Sequence, residues 1–125
     1  LEQRYLQDAN TLIKTDVTLL FIQTRGLAGR LFRRLAFNDG SWDIVYRDFI
    51  EHFYQLYVVF KHNVKFVPGE IWDEATEKKY DEFFKQVLSG KKFMPREALN
   101  LFEEFSNFVI KSGIYNLTMA GYKDI

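Results

Sequence analysis

The residues best equipped for chemistry in this chain are Arg47-Asp48-Phe49-Ile50-Glu51-His52. A histidine can give or take a proton near neutral pH, and an arginine can stabilise negative charge developing on a phosphoryl oxygen. At about 100° per residue, Arg47 and His52 lie about 140° apart around a helix, so they do not share one face squarely. The same residues have a structural use. Arg47 can pair with Asp43 or Glu51, and Asp48 with His52, each at a spacing of four.

A second cluster is Arg25, Arg30, Arg33 and Arg34, in a stretch with no Asp or Glu between Asp16 and Asp39. On a helix Arg30, Arg33 and Arg34 share a face, with Leu27, Leu31, Phe32 and Leu35 on the other. Guanidinium forks placed this way can hold phosphate or carboxylate, so these three are the candidate anion- or partner-binding residues. The acidic residues Asp73, Glu74, Glu77, Asp81 and Glu82 offer a simpler use for them. Charge matching between the two segments, within the molecule or across a dimer, explains both clusters together.

Other chemistries are poorly served. His52 and His62 are ten residues and roughly 80° apart, and no Glu-x-x-His pair occurs, so no metal centre is expected. There is no Cys, and neither Ser41 nor Ser106 has a recognisable partner for nucleophilic catalysis. Gly26 and Gly29 have the wrong spacing for a phosphate loop, and no strand precedes them. No cofactor is expected.

The run of Arg, a polar residue, three further residues and His resembles the signature of the HEPN helical domains. In that family the Arg and His form a metal-independent ribonuclease site at a dimer groove, and some members only bind nucleotides or partners. The resemblance implies His52 as general acid or base, Arg47 as phosphate clamp and Asp48 as the polar residue beside it. An inactive, antitoxin-type relative falls within the same resemblance. It covers six residues and places the motif on the second helix, where the family commonly carries it on a later one.

The elements that would hold these residues are helices. Asn38-Asp39-Gly40, Pro68-Gly69, Ser89-Gly90 and Ser112-Gly113 punctuate the chain, giving helices over about 2–37, 41–65, 70–89 and 95–112, then a tail at 113–125. The first carries Leu12, Leu19, Leu20, Ile22, Leu27, Leu31 and Leu35 and is either continuous or broken near Gly26. The second is the clearest amphipathic helix: Val45, Tyr46, Phe49, Ile50, Phe53, Leu56, Tyr57, Phe60 and Val64 fall on one broad face, with Asp43, Arg47, Glu51, Gln55 and His62 opposite. Pro95 suits a first helical turn and Gly90 a helix end. The prediction is a single all-α domain, an up-and-down bundle of four to five helices with an aromatic-rich core.

Thirteen Phe, seven Tyr and two Trp supply that core. An apolar ligand among them, with Tyr46, Tyr54, Tyr57, Tyr80 and Trp72 as polar handles, is the less favoured use; packing and a dimer interface is the favoured one. The second helix is apolar over more than half its circumference, which predicts a homodimer through Tyr46, Phe53, Tyr57 and Phe60. A formal net charge of +0 gives no support to whole-surface nucleic-acid binding, so RNA is not the favoured partner. No uncharged stretch approaches a membrane span. The lack of an initiator Met suggests that a few residues precede Leu1, and no signal peptide is recognisable, so a cytoplasmic location is expected. The Asn116-Leu117-Thr118 triplet reads as chance. The expected function is that of a small self-associating binding protein, with possible protein partners, rather than an enzyme.

Overall fold

Each helix forms where apolar residues recur at helical spacing, and ends where local chemistry favours a stop. The computed structural model describes residues 17–37, 40–64, 72–91 and 94–112. They form α1 (Val17–Ala36), α2 (Trp42–Val64), α3 (Glu74–Leu88) and α4 (Pro95–Ser112), with no strand among the described residues. The predicted segments 2–16 and 65–71 and the tail at 113–125 lie outside those residues.

At the start of α3, the Asp73 carboxylate accepts from the Thr76 backbone N–H at 2.8 Å. Hydrogen bonds from Thr76 hold the Asp73 carboxyl below its ordinary range. The helix ends as predicted at Gly90, whose φ of +106° suits glycine. Gly90 N–H donates to Val87 O and Lys91 N–H to Gln86 O, a Schellman closure of the last turn. Pro95 opens α4, where a missing N–H leaves no helical bond unmade. The choice left open for the first segment resolves at Gly26: α1 passes through Gly26 and Gly29 without a break.

Ring contacts define the run of the helices. Phe53 on α2 meets Phe84 and Tyr57 meets Tyr80, so α3 descends as α2 rises. Phe49 meets Phe102 and Phe60 meets Phe105, so α4 rises with α2. Tyr80 meets both Phe105 and Phe108. With α1 packed closely on α2 after the short 37–41 connection, the order is up-and-down, as predicted. Phe53 is 0% exposed and sits at the centre, 4.9 Å from the Phe84 ring and 5.1 Å from the Phe102 ring. Trp72 closes one end against Phe60 and Phe108.

This packing corrects the predicted dimer interface. Phe53, Tyr57 and Phe60 are buried inside a single chain, and Tyr46 is half-buried against the same core. The broad apolar face of α2 is covered because α2 touches all three other helices, and large rings reach across to α3 and α4. The surplus that pointed to association is therefore core.

Candidate functional site

The Arg47–His52 motif does not converge within the chain. Both residues are on α2, but His52 is half-buried on the flank near Val59 and Val45, whereas exposed Arg47 lies on the flank near Tyr54. They occupy opposite edges of the solvent-facing strip. The His52 ring takes neither the Arg47 nor the Asp48 side chain; its Nδ1 is 2.9 Å from the backbone carbonyl of Asp48 and donates to it. Arg47 forms no hydrogen bond or ion pair with a described residue, so the expected pairs with Asp43 and Glu51 are not made. No group of three potential metal ligands occurs among the described residues.

The serines are committed to structure. Ser106 Oγ donates to the Phe102 carbonyl one turn back at 2.9 Å. Ser41 Oγ accepts from Arg34 Nη1 across the α1–α2 connection.

That last bond divides the arginine cluster. Arg34 turns toward α2 and fastens the connection, while Arg30 and Arg33 remain exposed. Arg25 lies over the Phe21 ring at 5.6 Å. The anticipated pairing with acidic α3 is not formed by Arg25, Arg30 or Arg33 among the described residues. The described α3 ion pairs run elsewhere, Lys61–Asp81 to α2 and Lys79–Glu104 to α4, and α1 packs against α2 and α4. Arg25, Arg30 and Arg33 make no ion pair with any described residue.

Beside them are apolar side chains left in solvent. On α1, Leu19, Ile22 and Phe32 are each about half exposed, and Phe37 beyond its end is 80% exposed. Phe32 also lines a groove of about 470 Å³ between α1 and α4. Its α1 wall carries Phe21, Arg25, Ala28 and Gly29, and its α4 wall Arg96, Leu99, Glu103 and Ile110. Arg33 reaches the rim, since a Cβ built on Gly29 would stand 3.5 Å from its Nη1. Sequence reading missed this groove. The signal was present: Arg96, Leu99, Glu103 and Ile110 recur at helical spacing on the α4 flank beside its aromatic stripe, as Phe21, Arg25, Ala28 and Phe32 do on α1.

The fold is therefore an all-α, aromatic-cored helical bundle with a mixed apolar and basic groove on one side. No known protein family, curated protein or solved structure matches the chain.

Proposed function

We propose that this domain acts by binding rather than by catalysis, through the face that α1 and α4 share. One observation carries this reading: the groove shared by α1 and α4 holds Arg25 and Arg96 in its lining and Arg33 at its rim, without ion pairs to described residues, beside half-exposed Phe32 and Ile110. Arginine and aromatic side chains are the types enriched in the centres of protein interfaces, where large area and forked hydrogen bonding act together. Their combination in one groove distinguishes this face from the solvated strip of α2.

Site-specific photocrosslinking in cells producing the chain tests it. Phe32→p-benzoylphenylalanine should give discrete crosslinked products that disappear when Arg25→Glu and Arg33→Glu are added. Asp48→p-benzoylphenylalanine, on the α2 strip, should give none of them. A product of twice the chain's mass would identify the homodimeric form of this reading, and a different mass another partner. Identical products from both positions, or products indifferent to the arginines, would overturn it.

A further inference from the structure

We infer that the groove between α1 and α4 receives an amphipathic helix of acidic character from a partner protein; this deepens the binding reading above and rests on it. The groove's shape sets the first constraint. Along α1 its lining runs from Phe21 to Phe32, eleven steps of about 1.5 Å, or about 16 Å; along α4 it runs from Arg96 to Ile110, about 21 Å. That is three to four helical turns of length. A channel so long between two helices suits the apolar stripe of a third helix, entered at i, i+3 or i+4, and i+7.

The lining sets the second constraint. Phe21, Ala28, Phe32, Leu99, Phe102 and Ile110 provide the apolar floor and walls. Arg25 and Arg96 lie in the lining and Arg33 at the rim, none of them ion-paired to a described residue, against the single acidic lining residue Glu103. A helix laid here buries its stripe and brings its flanks to those guanidinium groups. Carboxylates on the flanks gain forked, charge-assisted bonds, while lysines there would meet like charge.

Competing occupants fit less well. A nucleic-acid backbone carries a charge at every nucleotide and would set phosphates against Glu103 in the lining and Glu97 on the same helix, both exposed. A helix can turn an uncharged side chain to them. A second copy offers no described helix with a free acidic apolar stripe. In α3 the apolar residues Tyr80, Phe83 and Phe84 are buried in its own core, and α1 would bring arginine to arginine.

Selection of random peptides of about 15 residues, four turns of helix, against the whole chain tests the assignment. Enriched sequences should place apolar residues at helical spacing with Asp or Glu beside them. A synthesised winner should bind about tenfold more weakly, or worse, to the Arg25→Glu/Arg96→Glu variant, and more weakly as salt rises. The variant's far-ultraviolet circular dichroism should match the wild type. Enrichment of basic or uncharged peptides, or equal affinity for the double variant, would overturn the acidic-helix assignment while leaving a binding face. Enrichment no greater on wild type than on Ile110→Asp would overturn both. An oligouridine strand that displaces the winning peptide with higher affinity would assign the groove to nucleic acid and overturn the proposal.

Discussion

At the scale of single residues, two tyrosines tie the aromatic core to its polar edge. Tyr57 donates to Asp81 at 2.6 Å, where Lys61 also pairs at 2.9 Å; Tyr80 donates to Glu104 at 2.7 Å, where Lys79 pairs at the same distance. Each ring is buried while its hydroxyl reaches a surface carboxylate. Tyr80→Phe keeps the ring contacts and removes one hydrogen bond to a charged group, so it should destabilise by about 1–2 kcal/mol in denaturant titration. The same bonds set a pH dependence. Burial, then the hydrogen bond to the neighbouring carboxylate, pushes both tyrosines well above their ordinary value of 10.0. Their contribution is therefore complete below about pH 10 and is lost as pH rises further, because only the unfolded chain ionises readily, at up to about 1.4 kcal/mol per pH unit for each. Glu104 works in the opposite sense. The hydrogen bond from Lys79, joined by that from Tyr80, holds its carboxyl below 4.5. Its contribution is present above that value and is lost as pH falls through the lowered one. Denaturation midpoints from acid to alkaline pH should fall at both ends, and Glu104→Gln should flatten the acid limb. None of this was legible in the sequence. The acceptors lie 24 residues from their tyrosines, beyond any local spacing, so Tyr57 read as a contact face.

At the scale of elements, the helices were legible wherever period and punctuation agreed. Pro95 and Gly90 fixed ends because one lacks an N–H and the other accepts positive φ, which are local properties. The path of α1 through its glycines was not legible, because propensity there is overridden by packing of Leu20, Phe21 and Leu31 on the core. A built Cβ at Gly26 meets nothing within 4 Å. Gly26→Ala should therefore raise stability by about 0.5–1 kcal/mol through helix propensity alone, seen as a higher melting temperature. Loss of stability there would mean that α1 needs its glycine for something the packing does not show. The arginine cluster was legible as a cluster but not in its division. Whether Arg34 joins Arg30 and Arg33 depends on which way α2 turns back, and that is a tertiary fact.

At the scale of the whole molecule, the aromatic excess has two readings that thermodynamics separates. If Phe53 lay on a dimer interface, as the width of the α2 stripe suggested, Phe53→Ala would weaken association, leave a folded monomer, and be rescued by raising protein concentration. In the structure Phe53 lies at the centre of one chain's core, in ring contact with Phe49, Phe83, Phe84, Phe102 and Phe105. Truncating it removes a ring that three helices share, at a cost of about 3–5 kcal/mol. That is a large part of the roughly 5–15 kcal/mol that holds a domain of this size together. The loss should be the same at every protein concentration, because no second chain fills the cavity. Phe32→Asp, on the half-exposed wall of the groove, should leave the melting temperature within a few degrees and act only on binding. Melting curves of both variants across a wide range of protein concentration decide the matter. A Phe53→Ala melting temperature that climbs with concentration toward that of wild type would return the aromatic stripe to an interface.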